Sequence, residues 1–530
     1  MTPGAALPFY FGPTARPLFA WYHAPASACR GAAVLCNPLG LDGTRAHWSY
    51  RHLAERLAGA GFGVLRFDWH GTGDSSGDDH EPARVATWLG DLAEAIEEVK
   101  RRSGAPRVSL VGMRAGATLA ARVAAGREDV GAVVLWSPAL TGAAWVNEMV
   151  KLHKLYLRLV PQVDGLEPGG EELLGSFASH ETIAALAGVD LLALTRRPAP
   201  DVLVLDDGPL REGPQLREHL EALGAAVTWQ RGSGQRFLFT VPHKATLHEA
   251  SIQAIVSWLS ASPEGGAPRP APAASRTTPF DEQPLRLGLA DHLFGVLSRP
   301  TSPPAHERPA ILLLNAGSVN RAGPHRLYVS MARRWAGRGF TVLRVDLSGI
   351  GDSPAAEGTA ENLVYPRDGL ADVAAAMDFL AAETGAGRFI VAGLCSGADL
   401  TFQIARRDPR LVGAVMMNPR TFLELDLGRV EGPVVPAPGP DPAGTEESLR
   451  VTAGLGEIAA RGVDALLLVS DRDPGIDYVD RHAPAAMGDV ERLPRFRRVN
   501  VAGTDHTFTT IGSQRRAVDL ITDEYLVHHE

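Results

Sequence analysis

Short apolar runs alternate with stretches of helical periodicity along the whole chain. In the first half, an apolar run at residues 33–36 is followed by a helix candidate at residues 52–60 and by a second apolar run at residues 63–67. This alternation is typical of βαβ units, in which parallel strands form a sheet with helices on both faces. The pattern therefore predicts an α/β fold with a mostly parallel sheet.

The same pattern occurs twice. Residues 58–75 and residues 336–353 are identical at twelve of eighteen positions, at a constant offset of 278. A period this long indicates duplicated domains, because solenoid repeats are only about 20–50 residues long. Residues 262–279 are rich in Pro, Ala and Gly, which is typical of a linker. The sequence therefore predicts two tandem α/β domains, residues 1–261 and residues 280–530, on either side of this linker.

Composition limits the classes of function. The chain has 530 residues, of which 45% are hydrophobic and 21% charged, and its formal net charge is −9. Such a chain can bury large cores, and it lacks the basic stripes that bind nucleic acid. Three cysteines are too few for a disulfide framework and lack metal-binding spacing, so we expect a cytoplasmic protein without a metal or other cofactor. The first eight residues are unlike a secretory signal. The sequence also lacks a run of about 20 apolar residues, so no membrane span is predicted.

One short motif in the second copy carries candidate chemistry. Residues 393–397 read Gly-Leu-Cys-Ser-Gly, after an apolar run and before a helical stretch. This is the pattern of a nucleophile elbow, whose flanking glycines are needed because a Cβ there would collide with the strand and the helix. The nucleophile would be Cys395, which predicts a thioester intermediate. A buried cysteine in a Gly-rich turn is the alternative interpretation.

An acid and a histidine follow the motif in chain order. Asp473 comes after the apolar run at residues 466–469, and His506 follows a short β-prone segment. In this elbow and this order, the second half resembles the α/β-hydrolase superfamily, in particular the serine-aminopeptidase-like hydrolases. The resemblance implies a triad of Cys395, His506 and Asp473, with Asp471 as the alternative acid. The sequence departs from the usual pattern in having a cysteine in place of the serine. Other members of the superfamily with a cysteine at this position are the dienelactone hydrolases and the Cys-dependent acyltransferases.

The resemblance further implies an oxyanion hole and a binding region. The expected donors to the oxyanion are the backbone N–H groups of Ser396 and of Ala316, which lies in the loop after an apolar run. Further along the chain, a basic cluster is a candidate site for a charged substrate tail, with a solvated loop as the alternative. The members of this cluster are Arg321, His325 and Arg326. Specificity is expected from residues 420–462, where this fold carries its lid.

The first half departs from the catalytic pattern at its elbow. Residues 112–116 read Gly-Met-Arg-Ala-Gly, and Arg114 cannot act as a nucleophile because its guanidinium stays protonated. Asp206, Asp207 and His243 are candidate remnants of a triad without an attacking group, so we expect this domain to be inactive. Two roles for Arg114 stay open: binding of a carboxylate or phosphate, or a relic held by a local ion pair.

Three functions remain open from sequence alone. The first is a hydrolase that cleaves an ester or thioester of a small-molecule acyl substrate through a Cys395 acyl-enzyme. The second is an acyltransferase that passes the acyl group to an amine, a thiol or an acyl or peptidyl carrier protein. The third is a non-catalytic binding or scaffold protein, because this fold supports many functions. The order of Cys395, Asp473 and His506 along the chain favours an enzyme.

Overall fold

The structure of the chain is a computed structural model. It describes the whole chain except residues 1–5, 160–165, 207–211, 233–243, 262–280, 303–305, 422–445 and 474–494. The chain divides into two compact units, one of residues 1–156 with 167–279 and the other of residues 280–530 with 157–166. The predicted linker lies outside the described residues, and the predicted domain boundaries stay a prediction.

The first unit is built around one large sheet. Its strands are β1 (Ala6–Phe11), β2 (Leu18–His23), β3 (Gly31–Cys36), β4 (Phe62–Phe67), β5 (Val108–Met113), β6 (Val130–Trp136), β7 (Gly170–Glu172), β8 (Phe177–Ser179), β9 (Asp201–Asp206) and β10 (Ala226–Arg231). Its helices are α1 (Leu41–Gly59), α2 (Arg84–Ser103), α3 (Ala115–Ala124), α4 (Gly142–Leu159), α5 (His180–Ala187), α6 (Gly213–Ala222) and α7 (Glu249–Ala261). The described residues form an eight-stranded sheet in the order β1-β2-β4-β3-β5-β6-β9-β10, and β7 pairs with β8 separately.

The second unit repeats this order. Its strands are β11 (Glu282–Leu287), β12 (Leu293–Ser298), β13 (Ala310–Leu314), β14 (Val342–Asp346), β15 (Phe389–Leu394), β16 (Leu411–Met417), β17 (Asp464–Ser470) and β18 (Phe496–Val501). Its α-helices are α8 (Leu327–Gly337), α9 (Gly369–Thr384), α10 (Ser396–Arg407), α11 (Glu446–Ala460) and α12 (Ile511–Asp519). Shorter helical turns cover Leu289–Asp291, Pro324–Arg326, Leu520–Tyr525 and Leu526–His529. The described strands form a sheet in the order β11-β12-β14-β13-β15-β16-β17-β18.

The predicted fold class is confirmed in both units. The first two strand pairs along each sheet are antiparallel and the following pairs are parallel. In the second unit, α9, α10 and α11 pack on one face of the sheet and α8 and α12 on the other. All residues of β13 and β15 are buried as a result, which explains why these strands are continuous apolar runs.

One helix differs in length from its prediction. The helix expected at residues 52–60 is the C-terminal part of α1, which begins at Leu41. Its first turns were missed because residues 41–51 include Gly, Thr, His, Trp, Ser and Tyr, whose helix propensity is modest. Among the described helices, none is long and apolar enough to cross a membrane.

Candidate active site

Cys395 lies at a strained turn between β15 and α10. Its backbone has φ 59° and ψ −119°, a conformation that residues other than glycine rarely adopt. The surrounding backbone packs closely: a Cβ on Gly393 would lie 2.2 Å from the carbonyl carbon of Gly397, and a Cβ on Gly397 would lie 2.7 Å from the carbonyl oxygen of Asn315. Glycine is therefore required on both sides of the cysteine. The turn leaves Cys395 partly exposed at the N-terminus of α10.

His506 and Asp473 reach the thiol from the loops that follow β18 and β17. Nδ1 of His506 lies 2.5 Å from Oδ2 of Asp473, whose side chain is fully buried. His506 is also hydrogen-bonded to the Cys395 thiol. Because Nδ1 faces the carboxylate, Nε2 is the nitrogen left for the sulfur. A hydrogen-bonded chain therefore runs from the acid through the imidazole to the cysteine.

The neighbouring acids have other partners. Oδ1 of Asp471, the alternative acid, accepts the N–H of Thr504 at 3.2 Å and so joins the loops after β17 and β18. Asp505, next to His506 in the chain, accepts the N–H of Thr509 at 2.7 Å. The described geometry thus brings Asp473 to the imidazole, while the neighbouring carboxylates stabilise the loops.

The charges of the site favour a thiolate and an imidazolium. Burial raises the pKa of the Cys395 thiol, but the charge and hydrogen bond of His506, the charge of Arg420 and the N–H of Ser396 outweigh burial and lower this pKa. Burial alone would lower the pKa of His506, yet the charge of Cys395, the hydrogen bonds to Asp473 and Cys395 and the charge of Asp473 raise it to about 9. A cysteine attacks as the thiolate, so this ion pair is a reactive state.

Two backbone N–H groups are available to an oxyanion. Ser396 is the first residue of α10, and its N–H donates to the Cys395 sulfur instead of to a helix carbonyl. Within the described residues, the N–H of Ala316 has no hydrogen-bond partner. The next N–H, that of Gly317, donates to Oγ of Ser396 at 3.0 Å and holds the loop against the elbow. Ser396 and Ala316 are the donors expected from the sequence, and their catalytic role stays a prediction.

Sequence reasoning missed Asn418, which holds the histidine loop. Directly after β16, its Nδ2 donates to the His506 carbonyl oxygen and to Ser470 Oγ, each at 2.9 Å. Its Oδ1 accepts the Ser470 N–H at 2.7 Å. Asn418 is fully buried and has φ 44°, and Ser137 at the corresponding place in the first unit has φ 41°. A polar residue before Pro after both strands was the signal that could have identified it.

Arg321, the first member of the predicted basic cluster, lies in the interior. This residue is 2% exposed, and its Nη1 donates to Asp346 at 2.9 Å and to Asp352 at 2.8 Å. Its guanidinium also lies 4.3 Å from the ring centre of Phe294. Arg321 itself is therefore not part of a solvated loop, and its contact with a substrate tail stays a prediction. The two buried carboxylates require a buried cation, which draws Arg321 into the interior.

His325 and Arg326 lie at the start of α8, and both have left-handed backbone conformations, with φ 54° and 65°. Nε2 of His325 is buried and has no hydrogen-bond partner within the described part of the chain. Burial lowers the pKa of His325 to about 4, against the opposing charge of Asp505. His325 is therefore a neutral imidazole close to the His506 loop. A substrate-binding role for His325 and for the half-buried Arg326 stays a prediction.

Arg114 has the local ion pair that was one of its two predicted roles. It occupies the elbow of the first unit with φ 55° and ψ −127°, the same kind of turn that holds Cys395. Its guanidinium lies 3.5 Å from Oδ2 of Asp42 and pairs with Glu148. The ion pairs with the two carboxylates account for this buried guanidinium, and an anion-binding role for Arg114 stays a prediction. Asp206 ends β9 half-buried, whereas Asp207 and His243 lie outside the described residues.

The other two cysteines are poor nucleophiles. Cys36 is fully buried in β3, and burial raises its pKa far above the usual value. The thiol of Cys29 is buried and donates to the Gly31 carbonyl oxygen at 3.3 Å. Nor do the described residues contain a group of three or more His, Cys, Asp or Glu side chains that could hold a metal ion.

Comparison with known proteins matches both units to one family. A family model described as "Serine aminopeptidase, S33" matches residues 42–199 and residues 310–436. Est1E from Butyrivibrio proteoclasticus is 14% identical with a TM-score of 0.36, over 48% of this chain and 98% of Est1E. A thermostable carboxyl esterase from Bacillus coagulans is 14% identical with a TM-score of 0.34, over 48% of this chain and 98% of its own. A puromycin-hydrolyzing peptidase from Mycobacterium tuberculosis is 17% identical with a TM-score of 0.35, over 50% of this chain and 42% of the peptidase. No curated protein sequence matches.

Proposed function

This chain belongs to the serine aminopeptidase S33 family of α/β hydrolases, and on that premise we propose that its second unit hydrolyses an ester or thioester through a covalent Cys395 acyl-enzyme. The observation that carries the proposal is the hydrogen-bonded chain from Asp473 through His506 to a cysteine at a strained elbow. Nucleophile, base and orienting acid in mutual contact form the constellation of covalent acyl transfer.

The first half-reaction forms a thioester. The Cys395 thiolate attacks the substrate carbonyl, a C–S bond forms, and the carbonyl oxygen becomes an oxyanion. The N–H groups of Ser396 and Ala316 donate to this oxyanion, and one such donor contributes about 3 kcal/mol. As the intermediate collapses, the bond to the leaving group breaks and His506 gives that group its Nε2 proton.

In the second half-reaction, water attacks the thioester. His506, now neutral, takes a proton from the water, and Asp473 stabilises the imidazolium that forms. The C–S bond then breaks, its electron pair stays on sulfur as the Cys395 thiolate, the acid product leaves, and the ion pair of Cys395 and His506 is restored. Substrate and water are the only reactants that this cycle requires.

Acyl transfer is the second candidate, and the presence of cysteine in a family described for serine favours it. A thioester reacts readily with amines and thiols, so the same acyl-enzyme would serve an acceptor such as a small amine or a carrier protein. For the first unit we propose no acyl chemistry, because Arg114 offers no nucleophile.

Intact-protein mass spectrometry tests these proposals. The protein is mixed with p-nitrophenyl and acyl-thioester probes, with and without an amine or thiol acceptor. An adduct on Cys395 that water clears within the mixing time supports hydrolysis, and an adduct that persists until the acceptor arrives supports transfer. Cys36→Ala should behave like the wild type and Cys395→Ala should form no adduct. Full turnover in Cys395→Ala would exclude the mechanism.

A further inference from the structure

Arg420 places an incompletely paired cation beside the nucleophile. It is the third residue after β16, and its positive charge is one of the causes that lower the pKa of Cys395. Its Nε lies 4.0 Å from Oδ1 of Asp473, which is longer than a hydrogen bond, and 42% of its side chain is exposed. Within the described residues, the guanidinium has no hydrogen-bonded acid. Among the described residues, Asp473 is thus the carboxylate nearest to this guanidinium, and it does not hydrogen-bond to it.

Other arginines near the two elbows are neutralised by carboxylates. Arg321 has two buried carboxylates as partners, and Arg114 has Asp42 and Glu148. A guanidinium with two acid partners has little charge left for a ligand. Arg420 is different because the carboxylate nearest to it already accepts a hydrogen bond from His506.

The duplication gives an internal control. Cys395 N–H donates to the last carbonyl of β16 at 3.0 Å, and Arg114 N–H donates to the last carbonyl of β6 at 3.1 Å, so the two elbows are in the same register. The third residue after β6 is Ala139, which is buried. Only the unit with a nucleophile thus has an arginine at this position. Folding of the elbow does not require this arginine, since the first unit forms the same turn with alanine.

The surroundings of Cys395 are polar as well as charged. Three buried polar atoms have no hydrogen-bond partner in the described part of the chain: Ser318 Oγ, His325 Nε2 and Asp399 Oδ1. Buried polar atoms are normally paired, and of these three residues Asp399 interacts electrostatically with Cys395. Burial raises the pKa of the Asp399 carboxyl well above its usual value, which disfavours a negative charge at this position.

We propose that Arg420 binds an anion on the acyl part of the substrate, and that the second unit therefore prefers acyl groups with a free carboxylate, as in half-esters or half-thioesters of dicarboxylic acids. This inference rests on the proposed acyl-enzyme at Cys395. The planar fork of a guanidinium matches the two oxygens of a carboxylate. The positive charge of Arg420 acts on the Cys395 sulfur. The first carbons of an acyl group bound to this sulfur would therefore lie close to Arg420.

The test compares two probes that differ by one carboxylate. They are the mono-p-nitrophenyl ester of glutaric acid and the p-nitrophenyl ester of pentanoic acid, and kcat/KM is measured for both. We expect the wild type to prefer the half-ester by at least about tenfold, which is the effect of one charge-assisted hydrogen bond. Arg420→Ala should abolish this preference while it still forms a Cys395 adduct with the neutral ester. Arg420→Lys should retain part of the preference.

Arg406→Ala is the matched control. Arg406 lies on α10 and pairs with Glu457 at 2.6 Å, so its removal changes the net charge of the unit equally and should leave the preference intact. Equal kcat/KM for the two esters in the wild type, or a preference that survives in Arg420→Ala, would overturn the inference while the acyl-enzyme stands. Faster reaction of a phosphonate analogue of the half-ester would also overturn it, in favour of a phosphate ligand. Absence of both turnover and a Cys395 adduct with every probe would remove the proposed function and this inference together.

Discussion

Replacing Asp473 by Asn should make Cys395 less reactive at neutral pH. The change removes the negative charge next to Nδ1 of His506 and keeps the size of the buried side chain. The amide no longer stabilises an imidazolium, so the ion pair with the thiolate loses one of its supports. Cys395 should then return towards the pKa of an ordinary thiol.

The structure gives the size of the effect. The pKa of His506 is about 9, compared with 6.5 for an unperturbed imidazole, which corresponds to about 3 kcal/mol of net stabilisation of the charged form. Two of the four interactions that raise this pKa come from Asp473, as a hydrogen bond and as a charge. We assign about one pKa unit to them, which is up to about a tenfold change in the population of the ion pair.

Alkylation by iodoacetamide at a series of pH values measures this population. In the wild type, the rate should rise as pH passes the lowered pKa of Cys395 and stay level until about pH 9, where the imidazolium of His506 deprotonates. In Asp473→Asn the ion pair should lose up to about tenfold in population to the neutral pair of thiol and imidazole, so the alkylation rate at neutral pH should fall by up to about tenfold. The alkylation rates of the two proteins should converge above pH 9, because Cys395 is then a thiolate whether or not His506 is charged.

The control is Asp471→Asn, in the same loop. Asp471 contacts the N–H of Thr504 and not the imidazole, so its profile should match the wild type. Identical profiles for wild type and Asp473→Asn would refute the assignment of the acid. A larger shift in Asp471→Asn would transfer the role to that residue.

Three further predictions concern stability and access. Arg321→Met leaves two buried carboxylates without their cation, so it should lower the free energy of unfolding by about 3–5 kcal/mol. Urea titration measures this change, and an unchanged midpoint would contradict the buried pairing. Gly393→Ala would place its Cβ 2.2 Å from backbone, so it should lower the melting temperature measured by calorimetry, whereas Gly387→Ala has open space and should not. Peptide mapping after native alkylation should find Cys395 modified and Cys36 protected until urea unfolds the chain, and early labelling of Cys36 would show that β3 is not the buried strand described.

Local patterns were sufficient for the architecture and for the elbow. Apolar runs and helical stretches recur at a fixed offset. Each of these patterns depends only on which side chains its own segment buries, so it can be recognised without the rest of the fold. The glycines around Cys395 are visible within five residues, although only Gly393 contacts the adjoining helix and Gly397 contacts Asn315, after the distant strand β13. Asp471 and Asp473 could not be separated in this way, since two residues in one loop have nearly the same sequence context.

The sequence by itself determined two tandem α/β units, an elbow with cysteine in one of them, and the order of a nucleophile, an acid and a histidine. Tertiary structure alone decided which charges face the chemistry. Arg321 is buried because Asp346 and Asp352 come from a different strand end, while Arg420 stays partly exposed because its nearest carboxylate belongs to His506. The fate of a charged side chain depends on desolvation and on partners that are distant in the chain, and neither is visible in local spacing.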